Sequence, residues 1–331
     1  MMQKIEADLH DFLKEWNDAS PYIQVQTSGS TGTPKQMKVR KEQMRQSARL
    51  TCEFFSLQPG DKALLCMPLQ YIAGKMMVVR ALWAGLDLIV REPSGHPLKE
   101  VDVPLRFAAM IPLQVYNTLQ VPEERERLCR TDILIIGGGP VDKALEEEIR
   151  KLPNRVYSTY GMTETLSHIA LRRLNGPTAS LYYTPFPSVG LSLSPEETLV
   201  INAPLVCDTP LQTTDVARLL PDGRFQILGR KDNIINTGGI KVQTEQLEEV
   251  LRSIISVNFA ITAIPHPKFG EAIALLMEKR SLKEEEKKQI ARIVPKFQQP
   301  RQTVVVDTIP LTGSGKIDRK ACRALAARAF I

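Results

Sequence analysis

Between Tyr22 and about Gly229 the chain alternates short apolar runs with segments of helical period, and that rhythm limits its fold more than any other feature. The runs Ile23 to Val25, Ala63 to Met67, Leu86 to Val90, Ala108 to Ile111 and Ile133 to Ile136 are bounded by Gly, Pro or Asp, as short buried strands are. Between them Met44, Ala48, Cys52 and Phe55 recur at helical spacing, and Gln58-Pro59-Gly60-Asp61 stops that helix and turns the chain. Strands alternating with helices imply a large layered α/β domain built on parallel strands.

After Gly229 the pattern changes. Leu247, Val250, Leu251 and Ile254 line one helix face, and strands are expected at Phe259 to Ile264, Ile273 to Met277 and Thr303 to Val306, with a charged helix from Leu282 to Val294. That makes a small α+β unit, so the expected domains are 1–229 and 230–331, joined near Leu228 to Asp232 without a long linker or internal repeat. At the amino end, Ile5, Leu9, Phe12, Leu13 and Trp16 form the stripe of an amphipathic surface helix. The interspersed Glu6, Asp8, Asp11 and Glu15 exclude the apolar centre of a secretory signal.

Composition removes other function classes. With 43% hydrophobic and 24% charged residues the chain is neither disordered nor fibrous. The net charge of +6 is scattered, and runs such as Lys283 to Lys288 carry both signs, so no tract marks a nucleic-acid surface. The longest apolar neighbourhood, Met76 to Val90, is interrupted by Arg80, Gly85 and Asp87 and falls short of the roughly 20 residues that span a bilayer. No membrane insertion and a cytoplasmic location are expected. Cys52, Cys66, Cys129, Cys207 and Cys322 contain no CxxC pair, which favours small buried hydrophobes in a reducing compartment over a disulfide framework or thiolate zinc site.

Five segments carry chemistry. Thr27-Ser28-Gly29-Ser30-Thr31-Gly32-Thr33-Pro34-Lys35 follows a strand with small hydroxylated residues and closes on a lysine, a composition that can wrap donors around phosphate oxygens. It lacks the Gly-Lys-Ser/Thr of a Walker A loop. Gly137-Gly138-Gly139-Pro140 ends the strand Ile133 to Ile136, where bare glycines let a base or phosphate approach; a tight strand-to-helix turn explains it equally well. Tyr157 to Thr165, expected after another short strand, offers Tyr160 for stacking and Glu164 as a magnesium ligand, or else forms a surface turn. Thr214-Asp215 is expected ahead of a hairpin turning at Pro221-Asp222-Gly223-Arg224, and Leu228-Gly229-Arg230-Lys231-Asp232 after its returning strand; a carboxylate and an arginine suit a ribose or phosphate. Gly313-Ser314-Gly315-Lys316 places one lysine on a glycine loop before a last helix that Asp318 can cap.

Taken in this order, the segments resemble the adenylate-forming superfamily of acyl- and aryl-CoA synthetases, adenylation domains and luciferases. The resemblance implies a two-step reaction: a carboxylic acid and MgATP give an acyl-adenylate and pyrophosphate, and the thiol of coenzyme A then displaces AMP. It implies that Thr27, Ser28, Gly29, Ser30, Thr31, Gly32, Thr33 and Lys35 grip phosphates, that Gly138, Gly139, Tyr160 and Gly161 border the adenine, and that Thr163 and Glu164 serve phosphate and magnesium. Asp215 and Arg230 would hold the ribose, Asp232 would be the hinge, Lys316 would stabilise the adenylation step, and Thr237-Gly238-Gly239 would face the thiol channel.

The chain reaches its phosphate loop early, which implies a first domain shortened at its amino end. Pro68-Leu69-Gln70-Tyr71-Ile72-Ala73-Gly74-Lys75 and Glu164-Thr165-Leu166-Ser167-His168-Ile169-Ala170 are most similar to short bacterial o-succinylbenzoate–CoA ligases of menaquinone synthesis. Such a substrate keeps one carboxylate unactivated, and Tyr71, Lys75, Ser167 and His168 are the acyl-pocket candidates. Other aryl or acyl acids, a carrier-protein thiol, or a non-catalytic nucleotide-binding regulator are the competing readings, and self-association into a homo-oligomer is left open.

Overall fold

The computed structural model describes residues 3–26, 36–312 and 317–329, and the chain separates into two compact units. The first contains the chain up to Leu191 with Ile201–Leu211 and Leu220–Phe225; the second contains Ser192–Val200, Gln212–Leu219 and the chain from Gln226 onward.

The first unit begins with helix α1 (Gln3–Asn17) and the antiparallel pair β1 (Tyr22–Gln26) and β2 (Gln36–Arg40). It continues through α2 (Lys41–Phe55), β3 (Lys62–Leu65), α3 (Ile72–Ala84), β4 (Asp87–Val90), β5 (Leu105–Met110), α4 (Pro112–Gln120), α5 (Pro122–Cys129) and β6 (Thr131–Ile136). It closes with α6 (Lys143–Arg150), β7 (Arg155–Gly161), β8 (His168–Arg173) and β9 (Thr184–Pro185). Strands β3 to β9 form one sheet in the order β4-β3-β5-β6-β7-β8-β9. Strands β4 to β7 are parallel, and β8 and β9 add antiparallel to one edge, so the layered α/β architecture is present. All four residues of Ile133 to Ile136 are buried, as expected of a strand covered on both faces.

Strand order reverses beside β3, with β4 on one flank and β5 on the other, and the crevice at the carboxyl ends of such strands is where open α/β sheets take ligands. Gln114 of α4 fastens that end: its Oε1 accepts from the Ile111 amide at 3.1 Å, and its Nε2 donates to the Ser94 carbonyl at 2.9 Å. On α1 the anticipated stripe is seated through Ile5, Phe12 and Trp16. From its outer flank Glu15 accepts a hydrogen bond from the Gln24 amide of β1 at 3.0 Å.

Most residues of the sheet of β10 (Gly190–Leu193), β11 (Thr198–Asn202), β12 (Leu211–Leu219) and β13 (Phe225–Arg230), whose strands neighbour one another in chain order, belong to the second unit. Next come β14 (Ile234–Thr237), β15 (Ile240–Gln243), α7 (Thr244–Arg252), β16 (Phe259–His266), β17 (Gly270–Glu278), α8 (Glu284–Ile293), β18 (Gln302–Val306) and α9 (Arg319–Arg328). The latter strands form a five-stranded sheet, ordered β15-β14-β17-β16 with β18 also on β17. Ile261, Ile273 and Leu275 join Leu247 and Leu251 of α7 and Ile290 of α8 in one core, while Ala260, Ala274 and Leu276 join Cys322 and Ala326 of α9 in another. Burial on both faces explains the near-continuous apolar runs there.

The free cysteines Cys52, Cys66, Cys207 and Cys322 are buried and Cys129 is half-buried, as small hydrophobes are. Among the described residues no helix is long and apolar enough to cross a membrane.

Candidate active site

Strand β7 carries the densest chemistry of the first unit. Its central residues alternate, Val156 and Ser158 inward, Tyr157 and Thr159 half-exposed, so the first part of the segment expected after a short strand, Tyr157 to Gly161, is itself strand. The polar inward position is satisfied because Ser158 Oγ and Tyr183 Oη lie 2.8 Å apart. Thr159 Oγ1 donates to the Ile136 carbonyl at 3.2 Å, tying β7 to the end of β6 just before Gly138 and Gly139. The Tyr160 ring packs 5.1 Å from Phe225 and 5.9 Å from Tyr183.

Beyond Tyr160 the pairing of β7 with β8 shifts register, and Gly161 occupies the crowded point: a Cβ there would lie 2.6 Å from His168 Cα and closer still to the Ser167 carbonyl oxygen. A single 3-10 turn, Thr163–Thr165, follows. Buried Thr165 organises it, accepting from the Met162 amide at 3.0 Å and lying 2.7 Å from the Ser167 carbonyl. This leaves Glu164 exposed and outside any ion pair among the described residues. One exposed carboxylate fits a magnesium ion bridging nucleotide phosphates, which typically takes one or two protein carboxylates and keeps its waters.

The turn leads into a buried polar cluster. Arg80 of α3, only 2% exposed, donates through Nη2 to Ser167 Oγ at 2.6 Å. Ser167 Oγ lies 3.3 Å from His168 Nδ1, and His168 Nε2 lies 3.1 Å from Thr51 Oγ1 of α2. Arg80 forms no ion pair among the described residues, and its Nε is buried without a partner. Burial lowers the guanidinium to about 10, so it remains charged at neutral pH. Burial, and then the nearby Arg80 charge, hold His168 well below the usual histidine value, so its ring is neutral.

Arg80, and not Lys75, is the cation on Ser167. Lys75 is buried too, but its Nζ lies 3.6 Å from Glu15 and 4.7 Å from the Phe12 ring centroid. Tyr71 precedes α3 and bridges Gln26 at the end of β1. The sequence signal for Arg80 is its place as one of two charges, with Asp87, that interrupt the longest apolar neighbourhood.

In the second unit, Arg230 gathers the separately noted Thr214, Asp215 and Asp232. Its Nη2 donates to Thr214 Oγ1 and lies 3.3 Å from Asp232, and its Nη1 is 3.8 Å from Asp215. Asp215 lies within β12 and Gly229-Arg230 within β13, so both belong to the strands of the hairpin that they were expected to flank. Thr27 to Lys35 and Gly313 to Lys316 lie outside the described residues.

A family model described as AMP-binding enzyme matches residues 6–208, more than half of the chain. The chain belongs to that family. Among its curated relatives, the 2-succinylbenzoate–CoA ligase of Escherichia coli (strain K12) is 26% identical over 322 residues, covering 90% of this chain and 67% of the relative. That of Salmonella typhimurium LT2 is 26% identical over 315 residues, covering 89% and 67%. A solved acyl-CoA synthetase (AMP-forming)/AMP-acid ligase II-like protein from Dyadobacter fermentans is 33% identical, with 96% of this chain and 93% of that chain covered at a TM-score of 0.67. The AMP-binding fold is shared as well with the o-succinylbenzoate coenzyme A synthetase of Bacillus subtilis, solved with ATP and magnesium, at a TM-score of 0.74 and 20% identity over 90% of this chain and 68% of that one.

Proposed function

We propose that this AMP-binding enzyme is an AMP-forming acid–CoA ligase whose acid is an aryl dicarboxylate of the o-succinylbenzoate type. The curated relatives named 2-succinylbenzoate–CoA ligase support the reaction class. The observation that carries the substrate class is Arg80: a buried guanidinium without a counter-ion among the described residues, with an orphaned Nε, is costly unless an anion completes it. The carboxylate that the reaction does not consume is such an anion.

In the reaction, an oxygen of the other carboxylate attacks the α-phosphorus of ATP, the bond to the bridging oxygen breaks and pyrophosphate leaves. The sulfur of coenzyme A then attacks the acyl carbon and AMP leaves. Thr27 to Lys35 hold the phosphates, Gly138, Gly139, Tyr160 and Gly161 border the adenine, and Asp215 and Arg230 take the ribose hydroxyls. Lys316 offsets charge where the carboxylate meets the α-phosphate. Glu164 would hold magnesium, which supplies charge neutralisation on the phosphates, with Thr163 beside it. Asp232 is the hinge between domains 1–229 and 230–331, and Tyr71 and Ser167 line the acid, with His168 behind Ser167.

The test is mass spectrometry of the product formed from ATP, CoA and o-succinylbenzoate, beside benzoate as a one-carboxylate control. The expected product is the o-succinylbenzoyl thioester with AMP. Arg80→Gln is expected to lower kcat/KM for the diacid about 100-fold, the worth of a charged hydrogen-bonded contact, and to affect benzoate much less. Equal loss on both acids, or no thioester from the diacid, rejects the assignment.

A further inference from the structure

Thr51, Arg80, Ser167 and His168 converge from three separate parts of the first unit, and their contacts fix the direction of every proton between them. Thr51 Oγ1 donates to the Ser47 carbonyl one turn earlier in α2, at 3.2 Å. Its only proton is then spent, so at the 3.1 Å contact with His168 it can only accept, and His168 Nε2 carries the ring proton. In a neutral ring the other nitrogen is an acceptor, so His168 Nδ1 receives the Ser167 hydroxyl proton at 3.3 Å. Ser167 Oγ turns its lone pairs to Arg80 Nη2 at 2.6 Å. The guanidinium polarises Ser167 and strengthens its donation to His168, and the chain ends on a backbone carbonyl with no proton unassigned. The opposite order leaves the Thr51–Ser47 contact unused and frees the Ser167 proton.

We propose that Thr51 and His168 are positioning residues that draw the Ser167 proton inward, leaving Arg80 as the cationic donor that selects an anionic substituent on the acid. This inference rests on the reading of Arg80 as an anion anchor. A neutral hydrogen-bonding substituent would meet a desolvated cation and no exchangeable hydroxyl partner, whereas a carboxylate satisfies the orphaned Nε. The burial that keeps His168 neutral keeps it an acceptor at Nδ1.

The test uses the full chain with 15N-labelled histidine. It has four histidines, so comparison with His168→Gln assigns the His168 signals. The expected spectrum shows a neutral ring protonated at Nε2 from about pH 6 to 8. Thr51→Val removes the acceptor while keeping the shape, and is expected to reduce the ratio of kcat/KM for o-succinylbenzoate over benzoate about 10-fold or more. Thr51→Ser restores the hydroxyl and is expected to keep that ratio within about threefold. A purely structural role would depress both acids together and leave the ratio in place. The proposal is overturned by a wild-type ring that is cationic or protonated at Nδ1, or by an unchanged ratio in Thr51→Val. If the wild type activates neither acid, the ligase reading fails, and the imidazole spectrum by itself upholds or overturns the proton order.

Discussion

At the scale of the residue, a neutral histidine beside a buried cation has a consequence for stability. His168 is driven well below the ordinary histidine value of about 6.5, first by burial and then by Arg80. The unfolded chain protonates it near the ordinary value and the folded chain does not, so below that pH the unfolded state binds more protons. Stability is therefore full above about pH 6.5 and declines as the pH falls, by up to about 1.4 kcal/mol per pH unit until the folded-state value is reached. Urea unfolding at several pH values from about 7.5 to 5 should show a shallower acid slope in His168→Gln than in the wild type. Identical slopes would mean that the folded ring takes up a proton readily. Arg80, lowered to about 10, contributes no titration in this range.

At the scale of the element, the strand that frames the site was the hardest to read. Helices α2 and α7 and strands β5, β6, β16 and β17 announce themselves through apolar periodicity, because their inward positions are hydrocarbon. Strand β7 instead buries the Ser158 hydroxyl against Tyr183, and β12 carries Asp215, so a hydropathy pattern breaks where the chemistry begins. The hairpin of β14 and β15 was equally hidden: its strands are four residues each, and only its turn, Gly238 and Gly239 at φ +60° and +84°, has a strong signature. Arg80 was visible only as an interruption of an apolar helix, since no pattern along α3 reveals that Ser167 meets it. The register shift at Gly161 offers a check on how tightly β7 frames the site. Gly161→Ala would press a methyl group against the backbone of Ser167 and His168. It is expected to destabilise the fold by about 1–3 kcal/mol and to weaken diacid use through the displaced Ser167. Thermal unfolding and diacid kinetics measure the two effects, and a variant as stable as wild type would show that the shift relaxes easily.

At the scale of the whole molecule, the groups divide between the units. Tyr160, Glu164 and the Arg80 cluster belong to the first, and Arg230 with Asp215 to the second. The described residues that flank positions 313–316 make defined contacts within that second unit. Leu311 bridges Ile317, the Asp318 amide donates to the Pro310 carbonyl at 2.9 Å, and Asp318 caps α9 through the Ala321 amide. Arg319 then anchors the helix start on the buried Glu248 of α7 at 2.7 Å. Removing Glu248 would leave Arg319 largely buried and unpaired, so Glu248→Ala is expected to cost about 3 kcal/mol in the unfolding of this unit, read by denaturant titration. These anchors leave the lysine itself as the chemical variable. Lys316→Ala is expected to slow adenylate formation at least about 100-fold, as loss of a group that meets developing charge does. Thiolysis of supplied acyl-adenylate should stay within a few-fold of wild type, because that step breaks the acyl–phosphate bond after pyrophosphate has gone. Pyrophosphate release reads the first step and CoA consumption from added adenylate reads the second. Equal losses in the two would place Lys316 in binding or folding and remove it from the adenylation chemistry.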